Sequence, residues 1–463
     1  MVVLGALGGA GATGAPAAAA PKATWQPAGA GGAAPAWRGH GELAVISDGH
    51  LRLLDNGARS YVVAGPGTPG QPSWSPDGKW VAFLRTPAGP ALAAAISTLW
   101  TARSDGADAH QVSAPGADVV QFAWGPAAAG GETLAFAAVS PPSSTSTSLF
   151  LASGSRPPRK FAGYAGLIGF SWAPSGKALA VSYRKGPANQ PQAGQGYLEI
   201  SPLDGKAGRT VYTLADNGYV DLAGWWPDGG GLLFWDDPAG SSSVAADGLV
   251  LDSLDLSTLK VSPLTTTLVH GNWVAWSPNG RTVAVVAGGD REIWYSGKHV
   301  ELCAIPAATC RAVPLPAAAI MSLSPAWTGA GSLVYVTAPT VGPARAGAPP
   351  TTTTTAGDAG TGSWDPSGPW TSQNVAAWYG AQRLFTSSPA GTGSHVLPGT
   401  GPGAHDPVAT SGGLLYVQGG FLKYLPAGAR SPINLAYNLV GPGTYANSFY
   451  GYLAWSEDFA WHR

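Results

Sequence analysis

Short apolar runs alternate with tight polar turns along most of the chain, and one phrase recurs: "QPSWSPDGKWVAFLR" (71–85), "FSWAPSGKALAVSY" (170–183) and "VAWSPNGRTVAVVAG" (274–288). Each copy reads as a β-hairpin, with an apolar strand ending in Trp, a turn, and a second short apolar strand. In the first copy Ser75 and Asp77 can hydrogen-bond neighbouring backbone, Pro76 presets φ at the corner, and Gly78 takes the left-handed position. No strong helical periodicity stands out anywhere.

Aligned on the Trp, the copies fall at Trp37, Trp74, Trp124, Trp172, Trp225, Trp276 and Trp327, and from Trp74 onward the steps are 50, 48, 53, 51 and 51 residues. A degenerate copy, "DPVATSGGLLYVQGG" (406–420), comes later than the period requires, and the low-complexity segment 339–372 accounts for the excess. After each hairpin follow two more strand candidates joined by a turn, as in 99–114 and 197–214. Four strands per unit of about 40 to 50 residues predicts the blades of an all-β propeller. A blade cannot bury both faces of its sheet alone, so a bulky ring at the end of an inner strand fills the wedge against its neighbour. Trp74, Trp124, Trp172, Trp225, Trp276 and Trp327, with the turn residues Asp77, Gly78, Asp228 and Asn279, are therefore expected to be scaffold.

The repeated W-S-P-[DN]-G followed by an apolar strand resembles the TolB-like, WD40-like-repeat β-propellers, and the resemblance covers about residues 33–463. TolB itself carries an α/β domain before its propeller, for which this sequence shows no pattern, so a Tol-Pal envelope role is not implied. Eight units can be counted, with seven blades as the alternative. In propellers of this family one blade is commonly closed by strands from both termini. The tail "YGYLAWSEDFAW" (450–461) is thus expected to supply the inner strand beside "ELAVIS" (42–47), displacing the Trp37 segment.

Gly 66, Pro 41 and Trp 19 in 463 residues fit many turns between short strands. With 25 basic and 26 acidic residues and only 11% charged, no electrostatic footprint for nucleic acid is present. Residues 1–32 read as an export signal or anchor remnant followed by an Ala/Gly/Pro-rich linker, with A-x-A-like sites near Ala17 to Ala20 but no basic n-region. Gly9, Gly11 and Gly14 share the spacing of a dinucleotide-binding loop, but Pro16 and a poly-Ala run replace the βαβ unit that motif requires. Residues 33–463 are expected to form a single propeller, extracytoplasmic and monomeric. Cys303 and Cys310 flank a Pro-Ala turn, where a hairpin would set them opposite each other. Export favours a disulfide over two buried thiols.

The turns of a propeller alternate between two faces. The SPDG-type turns are short and repetitive, whereas the connections between second and third strands are long and irregular, as at 86–98, 140–148, 184–196, 236–247, 288–298 and 339–372. Binding usually lives on such loops over a rigid scaffold. Their informative residues are Arg184, Lys185, Asp236, Asp237, Asp290, Arg291, Glu292, Trp294, Tyr295, Trp364 and Trp370. Aromatics beside carboxylates suit a sugar or a peptide; equally, "REIWY" can be a loop packed by its own aromatics. The run Thr351 to Thr355 reads as a flexible loop open to glycosylation.

Catalytic patterns are sparse. No G-x-S-x-G occurs, which removes the nucleophile elbow of the prolyl-oligopeptidase-like enzymes that carry related propellers. The eight histidines form no close metal-ligand pair, and His405 and Asp406, as strand neighbours, are expected on opposite faces. No cofactor or metal is expected. The leading expectation is an exported, non-catalytic propeller that binds a protein, peptide or glycan through its loop-rich face. The alternatives are an extracytoplasmic hydrolase or lyase with acids at the channel mouth, and the sensor ectodomain of a membrane protein.

Overall fold

The computed structural model describes residues 42–462, apart from 56–59, 88–95, 130–131, 141–145, 154–155, 165, 187–193, 215–216, 239, 242–243, 290, 292, 295–296, 317–320, 340–371, 441–443, 445–447 and 449–450. Its strands form eight four-stranded antiparallel sheets, the blades of a β-propeller. Seven blades are contiguous in sequence. The other, blade I, joins β1 (Glu42–Ser47), β2 (His50–Leu54) and β3 (Ser60–Val62) to β32 (Phe459–His462), its inner strand. Glu42 to Val45 pair with His462 to Phe459, so both ends of the described chain close one blade. Of the two blade counts left open by the repeats, eight is the one observed.

The inner strands of blades II to VII are β4 (Thr68–Trp74), β8 (Asp118–Trp124), β12 (Leu167–Trp172), β16 (Tyr219–Trp225), β20 (Val274–Trp276) and β24 (Met321–Trp327), each ending on a repeated Trp. The rings do more than fill wedges. Trp124, Trp172, Trp225 and Trp327 donate their indole N–H groups to the carbonyls of Ser73, Ala123, Ser171 and Ala275 at 3.0–3.1 Å. Each acceptor is one residue before the aligned Trp of the preceding blade. The indole thus seals an apolar seam while giving a strand carbonyl of the preceding blade a second donor from its neighbour.

The turn that follows is equally regular. Ser75 donates to Asp77 at 2.7 Å and accepts from the Trp80 amide, and Asp77 accepts from the Lys79 amide. Ser277, Asn279, Arg281 and Thr282 repeat that pattern. At φ 69° Gly78 occupies the left-handed region, and a Cβ there would stand 2.7 Å from the His462 ring. In blade VI, Cys303 on β22 (His299–Ala304) faces Cys310 on β23 (Thr309–Ala312), and the two form a disulfide.

One helix, α1 (Ser372–Ala381), was not anticipated from the sequence. It ends the long connection of blade VII and buries Val375, Trp378 and Tyr379, and the Trp378 indole donates to the Pro339 carbonyl at 2.8 Å. Val375, Trp378 and Tyr379 stand at i, i+3 and i+4, a helical signature too short to rise above its Gly/Pro-rich surroundings. Among the described residues no helix is long and apolar enough to cross a membrane.

Candidate functional site

The charges that the sequence singled out on the long-loop face largely latch one blade to the next. Arg184 lies over the Tyr219 ring at 4.4 Å and donates to the Gly194 and Asn217 carbonyls. Arg291 reaches from blade VI to Asp247 of blade V at 2.7 Å. Trp294 is fully buried, edge-on to Trp378 at 5.9 Å, so its ring belongs to the core instead of forming an exposed platform. Asp290, Glu292, Tyr295, Trp364 and Trp370 lie outside the described residues, as do residues 1–32, expected to be an export segment and linker, and Trp37.

The expectation that His405 and Asp406 point to opposite faces is wrong. On β28 (Ala404–Thr410), the inner strand of blade VIII, the register shifts between His405 and Val408, and Asp406 takes φ 47°. This bulge breaks strand alternation and brings His405 Nδ1 to 2.9 Å from Asp406 Oδ2, both side chains buried. Around the pair a polar network staples three parts of the molecule together. Asn272 donates to Asp406 at 3.4 Å and accepts from the Tyr452 hydroxyl at 2.8 Å, and the Tyr379 hydroxyl donates to the Gly451 carbonyl. His270 stacks on Tyr452 at 3.8 Å between centroids, and burial, then nearby Lys298, push its pKa down to about 3. It therefore stays neutral. This buried network ties the tail to the inner strands and leaves little room for a substrate.

Directly above it, where blade VIII meets blade I, the loop face opens into a cleft of about 460 Å³. Asp48 and Gly49 from the β1–β2 turn line it together with Asn438, Leu439, Val440 and Thr444 after blade VIII and the tail residues Leu453, Ala454, Trp455, Glu457 and Asp458. The size is that of a small-ligand or side-chain pocket. Its two tail acids are held where water serves them poorly. Burial, and after it the neighbouring Glu457 charge, push Asp458 up to about 7. Burial also raises Glu457, against the hydrogen bond it accepts from Gln71 at 3.1 Å. Meanwhile the Asp458 carbonyl accepts from the Ile46 amide at 2.7 Å, so the backbone that closes the propeller also positions the acids. Nothing in the repeat predicts this site. The acidic pair in "WSEDFAW" was its one visible mark.

A second acidic group lies on blade V, on β17 (Gly231–Asp237) and β18 (Leu249–Asp255). Asp237 is buried and accepts from the Ser241 amide at 2.6 Å. Asp236 faces the seam with blade IV, where the Tyr212 hydroxyl donates to its Oδ2 at 2.5 Å. Asp252 sits beside it. Burial, then the charge of Asp236, push Asp252 up to about 6, and on the inner strand burial, then Asp237, push Asp221 up to about 7. Among the described residues, the one group of three metal-ligand types within reach of a common ion is Glu301 with Cys303 and Cys310, whose sulfurs are bonded to each other.

No family model and no curated protein matches the chain. Solved structures similar to it include TolB from Acinetobacter baumannii, at 15% identity and a TM-score of 0.39, covering 62% of this chain and 66% of that one. A prolyl endopeptidase gives 12% identity and 0.48, covering 78% of this chain and 48% of the other. The β-propeller domain of the trilobed protease from Pyrococcus furiosus gives 8% identity and 0.43, covering 81% and 100%. The chain therefore spans less than two thirds of that TolB and about half of that endopeptidase. By its own strand order it is an eight-bladed β-propeller, and TolB proteins are among its structural neighbours.

Proposed function

We propose that the protein is an exported, non-catalytic binding propeller that holds a peptide, protein or glycan partner at the loop-face cleft between blades VIII and I. The observation that carries this reading is the cleft itself, with Asp48, Glu457 and Asp458 gathered at a cavity of ligand size. Carboxylates kept from full hydration reward a partner that supplies hydrogen-bond donors or positive charge. Glu457 and Asp458 are consecutive residues of one tail segment, whereas a glycosidase sets two carboxylates on opposite sides of the scissile bond. The test is binding of the purified full chain to peptide and glycan arrays, followed by the Glu457→Gln/Asp458→Asn double variant. Ligands held by the wild type and released by a variant that still folds support the reading. The same ligands retained by the variant would sink it.

One observation favours a hydrolase as the second reading: an acid pushed to about 7 beside a second carboxylate is the state of a general acid. Turnover of chromogenic glycosides or peptide amides by the wild type, lost in Asp458→Asn, would replace the first reading with this one.

A further inference from the structure

We propose that Asp236, Asp252 and Tyr212, at the seam of blades IV and V, form a binding site for a hard divalent cation of the calcium type. Asp252 pairs with Phe234 across β17 and β18, so it shares a sheet face with Asp236, two residues further along β17. Tyr212, on β15 (Arg209–Thr213) of blade IV, packs against Phe234 at 4.7 Å between ring centroids and closes the site from the neighbouring blade. The surroundings are apolar: Val211, Leu214, Leu232, Phe234 and Leu254 make up the seam.

The oxygens in this pocket are mostly unmet. Tyr212 satisfies Asp236 Oδ2, but Asp236 Oδ1 is buried without a hydrogen-bond partner among the described residues. Asp252 is 8% exposed, and no donor among the described residues reaches it. Two carboxylates side by side against an apolar seam repel each other and share a single donor, Tyr212, an arrangement that persists where a positive charge or a proton lies between them. No lysine or arginine donates to either oxygen pair among the described residues, whereas the exposed acids of the short turns do have such partners. A divalent ion would cancel both charges and take Asp236 Oδ1 and the Asp252 carboxylate as oxygen ligands, with water completing the shell. With only two carboxylates the affinity belongs to the weak class, a Kd on the order of 10⁻⁴ to 10⁻³ M. The site is independent of the cleft proposed above, and it would clamp two adjacent blades beneath the loop face.

The experiment uses the full chain, stripped with EDTA. Terbium, which takes calcium sites, is titrated with excitation of the aromatic residues, and Tyr212 stands at the site. Sensitised emission should rise to saturation, fall when calcium is added, and drop by about tenfold or more in Asp252→Asn and Asp236→Asn. Thermal melting is the second readout. Calcium should raise the melting temperature of the wild type and leave Asp252→Asn unmoved. In EDTA, Asp252→Asn should melt above the wild type, because the amide removes the repulsion. Calcium that stabilises wild type and variant equally would overturn the proposal. So would a wild type indifferent to calcium and terbium at neutral pH, which would leave the two acids sharing a proton.

Discussion

The two faces of this propeller treat a carboxylate in opposite ways. On the short-turn face Asp77, Asp204 and Asp255 sit below the ordinary range. For Asp77, burial pulls upward but is outweighed by donors from Ser75 and Lys79; for Asp204 the Lys206 hydrogen bond dominates, and for Asp255 the Ser257 hydrogen bond does. On or just beneath the loop face Asp236, Asp252, Glu457 and Asp458 all sit above it, with burial as the first cause. A turn repeated from blade to blade solves one local problem, and an acid within it finds its donors two residues away. Asp236, Asp252, Glu457 and Asp458 have no donor of that local kind among the described residues: Asp236 takes its hydrogen bond from Tyr212 of the neighbouring blade and Glu457 from distant Gln71.

The sharpest way to break this contrast is to attack the repeated seam. Trp172→Ala removes a nearly buried ring and its hydrogen bond to Ala123, and should cost about 3–5 kcal/mol in denaturant unfolding. Trp172→Phe keeps most of the ring but loses the hydrogen bond to Ala123, at about 0.5–1.5 kcal/mol. If both are neutral, the Trp is no scaffold residue and the reading of the repeat fails.

A smaller effect, of opposite sign, is expected at the loop face. The folded-state pKa of Asp458 lies above its unfolded value, so its protonated form stabilises the fold fully at acid pH. That contribution is lost as pH rises from about 4 to about 7. Asp458→Asn should therefore melt above the wild type at pH 8, by on the order of 2 kcal/mol after allowance for partial exposure, and match it near pH 4. A variant less stable at pH 8 would mean that the carboxylate is satisfied after all. The smallest effect belongs to Asp77→Ala, which removes the acceptor of the Ser75 hydroxyl and the Lys79 amide and should cost about 0.5–1.5 kcal/mol by thermal melting. Its ion pair with exposed Lys79 adds little.

Much of the architecture was legible in the chain because it repeats. The Trp at the end of the inner strands of blades II to VII, the Ser-x-Asp/Asn-Gly turn and the apolar strand after it each reflect contacts within one blade or with the next, and a period near 50 residues displays them several times over. The pairing of tail residues 459–462 with residues 42–45 was expected from the way such propellers close, and it formed. What the sequence could not show is which acids meet. Asp48 and Asp458 stand at opposite ends of the described chain and line one cleft only because the ring closes there. His405 and Asp406 came together through a bulge that no alternation rule foresees, and Asp252 became a partner of Asp236 through strand register. Scaffold contacts are local and periodic, so they leave a trace in the sequence at fixed spacing. Burial and unmet charge at the loop face depend on the curvature of the whole ring, and only the tertiary structure decides them.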